Sequence, residues 1–315
     1  ATSVQEASRG RQRPSSRNKK GSFMNNFFAR LWVALVKRLH GVSMPMRWRL
    51  ARFAAFVLWR AVPKRRHVIL TNLRLCFPEL SEEERVALAK RVYVRLGRAA
   101  IDHGTLWMGT REEVQALVRF KGLEHLLTPD GRPTICISPH FAGLDAAGIA
   151  LNTYVRGVSL YQRQSNPVWD EALLKGRLRF SNPVLIPKSN GSDLRPVMRA
   201  MREGLPFYYL PDMDHGRRNS VFVPFFGVQA ATIPMVSRLA KVMRAKVLWS
   251  FAVMTEDGYE VEITPPLENF PTNNPEADTK RLNEELEARI RQHPDQYLWV
   301  HRRFKTRPEG EPSVY

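Results

Sequence analysis

The sequence predicts an α/β fold, an α/β sandwich around a largely parallel central sheet. Short apolar runs rich in strand-forming residues recur after residue 120, at 133–138, 158–162, 183–187, 205–210 and 246–253. Helical patterns at 169–180, 192–203 and 230–243 separate several of them. Strands that alternate with helices favour crossover connections and parallel pairing. The chain has 315 residues, of which 43% are hydrophobic, so it can bury the core of one large domain.

Elements at either end of this pattern complete the predicted fold. Ser81 and Glu84 form a capping-box pattern that begins a long helix over 81–108. Gly258 to Thr264 alternates apolar and polar residues, which predicts an edge strand, and residues 275–292 predict a charged helix.

Positive charge is concentrated at the N-terminus. Residues 1–66 contain 16 Lys and Arg but a single acid, Glu6, whereas the rest of the chain has 33 bases and 29 acids. Residues 1–21 have the composition of a disordered basic tail, and residues 22–66 predict two amphipathic helices that part near Gly41 and Pro45. Apolar and basic side chains together favour an anionic membrane surface over nucleic acid. A solvated tail before an ordinary packed helix is the alternative.

No segment predicts a membrane span, because basic residues interrupt the N-terminal apolar stretches and prolines break the uncharged run from Asn219 to Ser237. No secretory signal is visible either. Cys76 and Cys136 lie in apolar stretches, which indicates buried thiols and no disulfide framework. We expect no metal site, since the sequence shows no cluster of ligands.

The strongest chemical feature follows the predicted strand at 133–138. His140 and Asp145 lie at its carboxyl end, where α/β proteins bind ligands. We expect Asp145, in the first turn of the next helix, to accept a hydrogen bond from one ring nitrogen of His140, so that the other nitrogen acts as a general base. A capping Asp and an incidental His are the structural alternative. The sequence lacks the serine-hydrolase motif, which favours direct transfer without a covalent enzyme intermediate. It also lacks the nucleotide-binding loop motifs, which disfavours a nucleotide enzyme.

Five blocks, taken together, resemble the late acyltransferases of lipid A biosynthesis, a lauroyl and myristoyl transferase family of the lysophospholipid acyltransferase superfamily. They are RRHVILTNLRLCFPELSEEER at 65–85, PHFAGLD at 139–145, YQRQSNPVWDEALLKGRLR at 161–179, YYLPDMDHGRRNSVFVPFFG at 208–227 and QYLWVHRRFKTRPEGEP at 296–312. The second block contains the family's H-x-x-x-x-[DE] pair. The resemblance implies a glycerol-3-phosphate-acyltransferase-like sandwich with helices on both faces, over residues 67–315.

The resemblance also implies a reaction and its partners. The acyl donor would be an acyl carrier protein thioester, the acceptor a hydroxyl of a lipid A precursor, and no cofactor would be needed. His140 would be the base and Asp145 its partner. The implied substrate-binding residues are Arg163, Arg177, Arg179, Asp212, Asp214, Arg217 and Arg218. The expected location is the cytoplasmic face of the inner membrane, with peripheral or monotopic attachment.

Two departures from the family pattern leave alternatives open. Phe-Ala-Gly-Leu separates His140 from Asp145 where members often have aromatic and Asn residues, and the N-terminal anchor is amphipathic and interrupted. Transfer to another glycolipid or a lysophospholipid is therefore the alternative enzyme activity. A non-catalytic membrane-binding or nucleic-acid-binding protein is the alternative of a different class.

Overall fold

The computed structural model describes residues 16–128, 130–188 and 193–315. These residues form eleven helices and nine strands. The helices are α1 (Ser16–Arg38), α2 (Met44–Ala61), α3 (Pro63–Cys76), α4 (Glu82–Met108), α5 (Arg111–Leu117), α6 (Glu124–Leu127), α7 (Leu144–Leu151), α8 (Pro167–Arg177), α9 (Arg195–Arg202), α10 (Met235–Met243) and α11 (Pro275–Gln292). The strands are β1 (Val118–Lys121), β2 (Thr134–Ile137), β3 (Val158–Tyr161), β4 (Val184–Pro187), β5 (Phe207–Tyr209), β6 (Val221–Phe225), β7 (Val228–Thr232), β8 (Lys246–Met254) and β9 (Tyr259–Ile263).

Seven strands form a central sheet in the order β1-β9-β8-β2-β5-β3-β4. All neighbouring pairs in it are parallel except β8 with β9, so the predicted α/β fold with a largely parallel sheet is confirmed. The prediction that Gly258 to Thr264 forms an edge strand is wrong. β9 lies between β8 and β1, because the four residues of β1 pair with it along its outer side.

Helices cover both faces of the sheet. Ile135 and Ile137 of β2 point into a core shared with α3, α4, α9, α10 and α11. Cys136, between them, points into a second core shared with α5, α7 and the C-terminal part of α4. Alternate side chains of a strand face opposite sides, so a strand that is buried throughout requires helices on both.

The two predicted N-terminal helices are present as α1 and α2, and they part between Arg38 and Met44. Arg47 of α2 donates to Asp102 of α4 at 2.9 Å, and Arg98 donates to the same carboxylate at 2.8 Å. Asp102 is fully buried and also accepts from the Tyr259 hydroxyl at 2.7 Å. This buried network fastens α2 to the main domain, because leaving any one of these charges unpaired would be costly.

The predicted boundaries of the N-terminal segment change in the structure. Residues 1–15 of the predicted tail lie outside the described residues, whereas residues 16–21 belong to α1. The boundary proposed between residues 66 and 67 falls inside α3, because Pro63 occupies the first turn of that helix, where its missing N–H is tolerated. Among the described helices, none is long and apolar enough to cross a membrane.

One element type was predicted incorrectly. A helix was predicted over 230–243, but α10 begins only at Met235. Residues 228–232 form β7, which pairs with β6 in an antiparallel hairpin outside the main sheet. The predicted long helix begins at Glu82 with the expected reciprocal Ser81 and Glu84 hydrogen bonds.

Candidate active site

His140 is held by Asp212 rather than by Asp145. The Nδ1 atom of His140 lies 2.7 Å from Oδ1 of Asp212, and the His140 backbone N–H donates to Oδ2 of the same carboxylate at 2.8 Å. A carboxylate only accepts, so Nδ1 carries the ring proton and Nε2 carries the lone pair. The side chain of Asp212 is 1% exposed and that of His140 is 17% exposed, so the imidazole is accessible while its partner is shielded.

The pairing of strands brings these two residues together. β2 and β5 are parallel neighbours, and the pairing continues beyond β2, where Ser138 donates its N–H to the Tyr209 carbonyl at 2.8 Å. His140 follows the end of β2 and Asp212 follows the end of β5, and parallel strands end at the same edge. The C-terminal segment fixes the loop from the other side, since Leu298 donates its N–H to the His140 carbonyl at 2.9 Å.

The predicted hydrogen bond between His140 and Asp145 is wrong. Oδ1 of Asp145 accepts from Arg177 Nη2 at 2.7 Å and from Nε at 3.1 Å, and Oδ2 lies 3.3 Å from Nε2 of His103. The ring Nδ1 of His103 lies 2.8 Å from the Ala99 carbonyl. Both partners of this imidazole only accept, so both contacts are hydrogen bonds only when the ring carries two protons. Asp145 therefore lies between the Arg177 guanidinium and the His103 ring.

The direction of α7 explains this arrangement. Gly143 is the N-cap of α7, so Asp145 is in the first turn, where the helix dipole favours a carboxylate. From there the side chain faces α4 and α8. A Cβ at residue 176 would collide with the Trp107 ring, so Gly176 allows α8 to approach α4 closely and places the next residue, Arg177, against Asp145.

Electrostatics keep both acids ionised. Burial alone would raise the pKa of Asp212, but the charge of His140 and the hydrogen bonds from it outweigh that effect and lower the pKa to about 2. Burial would also raise the pKa of Asp145, yet Arg177 and His103 hold it well below its usual range. Neither carboxyl is a proton donor near neutral pH.

His140 and Asp145 share one cavity of about 400 Å³, although they do not bond to each other. His103, Arg177 and Lys188 also line it. An apolar pocket of about 110 Å³ joins this cavity between α7, β3 and β5. Both volumes are lined by Leu144, Asp145, Leu160, Tyr161, Arg177, Tyr208 and Leu210.

The structure separates the other predicted binding residues from this cavity. Arg179 donates to the carbonyls of Leu106 at 2.6 Å and Gly109 at 2.5 Å, so it caps the end of α4. Asp214 is buried and accepts from the Thr306 N–H at 2.8 Å and its hydroxyl at 2.9 Å, which fastens the C-terminal segment. These two residues have structural contacts in place of the predicted ligand contacts.

Three predicted arginines are exposed. Arg163 lies in the segment after β3, and its neighbours Gln162 and Gln164 line the cavity. Arg217 donates to the Arg307 carbonyl at 2.7 Å, and Arg218 lies beside it at the surface. Of the predicted set, Arg177 is the arginine that the structure places on the cavity wall among the described residues.

Reasoning from the sequence missed the cavity residues His103, Lys188 and His215, among others. His103 lies within a long helix and carries no motif, and Lys188 simply follows β4. Burial lowers the pKa of Lys188, while the charge of Asp212 opposes that shift. The repeated position of polar residues just after strands, as in His140, Lys188 and Asp212, is the signal that could have found Lys188.

A hydrogen-bonded histidine beside an apolar pocket can serve as the general base of an enzyme that transfers an acyl group to a hydroxyl. Comparison with known proteins agrees with this class. The sequence model of the bacterial lipid A biosynthesis acyltransferase family matches residues 17–306. The chain therefore belongs to that family and is an acyltransferase, as the sequence blocks predicted.

Individual relatives are similar over most of their length. The chain is 33% identical to the lipid A biosynthesis palmitoleoyltransferase of Escherichia coli (strain K12), over 80% of this chain and 82% of the relative. It is 32% identical to the lipid A biosynthesis lauroyltransferase of the same organism, over 86% of this chain and 89% of the relative. A solved structure, the 1-acyl-sn-glycerophosphate acyltransferase PlsC from Thermotoga maritima, matches with a TM-score of 0.39 and 13% identity, over 79% of this chain and 97% of that one.

Proposed function

We propose that the protein transfers a fatty acyl group from an acyl carrier protein thioester to a hydroxyl of a lipid A precursor, with His140 as general base and Asp212 as its partner. The observation that carries this proposal is the 2.7 Å contact between His140 Nδ1 and Asp212 Oδ1 at the wall of the cavity. It leaves Nε2 as the nitrogen that can accept a proton.

The proposed reaction is a direct transfer. Nε2 of His140 takes the proton of the acceptor hydroxyl as its oxygen attacks the thioester carbonyl carbon. The tetrahedral intermediate then collapses, the C–S bond breaks, and the imidazolium returns the proton to the leaving sulfur. Asp212 stabilises the imidazolium while it exists. The products are an ester and a free thiol, and the histidine is regenerated.

The cysteine nearest the site supports the absence of a covalent intermediate. Cys136 lines the apolar pocket, but burial raises the pKa of its thiol to about 12. The thiolate is the nucleophilic form of cysteine, so this thiol is not activated for attack.

The walls of the cavity suit the two substrates. The apolar pocket between α7, β3 and β5 offers a place for the donor's hydrocarbon chain. Arg177 and Lys188 would supply positive charge for a phosphate group or for the oxygen that becomes negative in the intermediate. The pair of Asp145 and Arg177 would then hold the cavity wall in place rather than orient the base.

The N-terminal helices support attachment to a membrane surface. Ten of the fifteen large apolar side chains that are exposed in the described residues belong to α1 and α2. They include Phe53, which is 68% exposed, and Phe28, which is 60% exposed. With the adjacent basic residues, such a surface fits the interface of an anionic membrane, at which we place the enzyme.

The test is a transfer assay with purified protein, acyl carrier protein thioester and a purified lipid A precursor. We expect the precursor to gain the mass of one acyl group, with one free carrier thiol released per product. Incubation with donor alone should leave the protein mass unchanged. Transfer from a coenzyme A thioester alone would contradict the donor assignment, and a stable acyl-protein adduct that passes its acyl group to the acceptor would contradict direct transfer.

A further inference from the structure

A second apolar groove reaches the catalytic cavity from the side of α2. It encloses about 410 Å³ and is lined by Leu58 and Val62, near the end of α2, and by Val300 in the C-terminal segment. It is a separate feature from the apolar pocket between α7, β3 and β5, and the two share no lining residue among those described.

The groove and the catalytic cavity share two lining residues, Met213 and Leu298. Met213 follows Asp212, the partner of the base, and Leu298 donates its N–H to the His140 carbonyl at 2.9 Å. The groove therefore adjoins the cavity that His140 lines.

The other end of the groove opens at the exposed apolar side of α2. Leu58 lines it and is 40% exposed, and Phe56 and Val57 next to it are 57% and 43% exposed. In the proposed membrane orientation this end faces the lipid, so a membrane lipid would reach the groove without crossing water.

Three polar residues line the groove, Arg65, Tyr93 and His301, and the first two indicate what else the ligand carries. Arg65 lies at its wall, as the middle residue of the Lys64, Arg65 and Arg66 cluster. Tyr93 also lines it. The Tyr93 hydroxyl is buried, and the described residues give it no hydrogen-bond partner, which is unusual for a buried polar atom. An ester or amide carbonyl could accept from this hydroxyl and an acidic headgroup could pair with Arg65, whereas a plain hydrocarbon would use neither.

We infer that this groove, which we name the α2 groove, binds a hydrocarbon chain of the lipid acceptor, while the pocket between α7, β3 and β5 holds the chain of the donor. The inference rests on the proposed function, because it needs two hydrocarbon-bearing substrates to meet at His140. The donor is carried by a water-soluble protein and the acceptor by the membrane, so the opening beside the apolar face of α2 suits the acceptor. The α2 groove is thus a determinant of acceptor selection.

The experiment compares two substitutions on neighbouring exposed residues of α2. Leu58→Trp fills the α2 groove, whereas Val57→Trp adds the same side chain on the same helix at a residue that does not line it. We measure KM and kcat for donor and acceptor in detergent micelles, with binding to anionic vesicles as a separate readout. Leu58→Trp should raise the acceptor KM about tenfold or more and leave the donor KM within twofold of wild type. Val57→Trp should change neither by more than twofold.

An acceptor stripped of its hydrocarbon chains provides the second arm. Wild type should use it poorly, and Leu58→Trp should cause little additional loss with it, because the group that the tryptophan excludes is already absent. Equal acceptor KM values for the two tryptophan variants, or a full additional loss with the stripped acceptor, would overturn the inference. If Leu58→Trp proves unfolded by circular dichroism, Tyr93→Phe, which removes one oxygen atom, replaces it and should raise the acceptor KM about threefold or more, and an unchanged value would overturn the inference.

Failure of the proposed function gives a different result. If the wild type uses only a coenzyme A thioester, the donor assignment fails, and the comparison of Leu58→Trp with Val57→Trp is made with that donor. If His140→Ala retains full activity, the mechanism fails, while the acceptor KM of Leu58→Trp still decides the α2 groove.

Discussion

Replacing Asp212 with Asn should disable His140 in a way that the structure specifies. The His140 backbone N–H can only donate, and it lies 2.8 Å from one oxygen of Asp212. In Asp212→Asn the single amide oxygen has to accept this bond, so the amide NH₂ faces Nδ1 of His140. Nδ1 must then be the unprotonated nitrogen and Nε2 carries the proton, which is the wrong tautomer for a base.

The magnitude follows from two contributions. The Nδ1 hydrogen bond to an ionised acceptor contributes about 1.5–3 kcal/mol, and it strengthens when the ring becomes an imidazolium. At about 1.36 kcal/mol per tenfold change in rate, losing it costs roughly 10- to 150-fold. The wrong tautomer costs more, and loss of general-base catalysis as a whole is worth about 10²- to 10⁴-fold. We therefore expect kcat to fall by about 10²- to 10⁴-fold, with both KM values nearly unchanged because Asp212 is buried behind the histidine.

The assay is steady-state transfer to the lipid acceptor, with thermal unfolding of the same preparations as the control for folding. Asp145→Asn is the matched comparison, since it makes the same chemical change at the acid that the sequence motif indicated. A kcat of Asp212→Asn within threefold of wild type, with a well-folded protein, would refute the reasoning. If kcat falls a hundredfold in Asp145→Asn while Asp212→Asn stays active, Asp145 would be the partner of His140, as the sequence predicted.

Four further changes have expected outcomes. His140→Ala should preserve the thermal unfolding profile and lower kcat by roughly 10²- to 10⁴-fold, and a loss of only a few-fold would remove it from the mechanism. Asp145→Asn should lower both kcat and the melting temperature, because it leaves Arg177 without its carboxylate. Asp145→Glu should retain part of the activity and part of the stability. A melting temperature of Asp145→Asn equal to that of wild type would contradict a supporting role. Activity should survive EDTA, because in the proposed mechanism a histidine and a carboxylate activate the hydroxyl. A loss that a divalent ion restores would argue for a metal. A Phe53→Glu, Phe56→Glu double variant should bind anionic vesicles more weakly in a flotation assay while keeping activity on detergent-dispersed acceptor, since both side chains are exposed; equal binding would count against membrane contact through α2.

Much of the fold follows from local sequence. The buried strand around Cys136 and the reciprocal Ser81 and Glu84 caps are encoded within a few residues, and the predicted elements lie close to their observed bounds. The wrong placement of β9 concerns long-range pairing. The apolar and polar residues that alternate in β9 are neighbours in the sequence, and this local pattern predicts an edge strand. β1, which covers the outer side of β9, is more than 130 residues away in the chain.

The same distinction between local sequence and long-range pairing applies to the candidate site. The sequence by itself determined that His140 follows a buried strand and that the chain belongs among lipid A acyltransferases, because a strand end and a family motif are read from neighbouring residues. Only the tertiary structure decided which acid bonds to His140. Asp145 is five residues away but turns with α7 toward Arg177, whereas Asp212 is 72 residues away and arrives because β5 lies parallel to β2. The physical reason is that a helix dipole and a nearby cation fix a carboxylate locally, while the partner of His140 depends on which strand ends lie side by side.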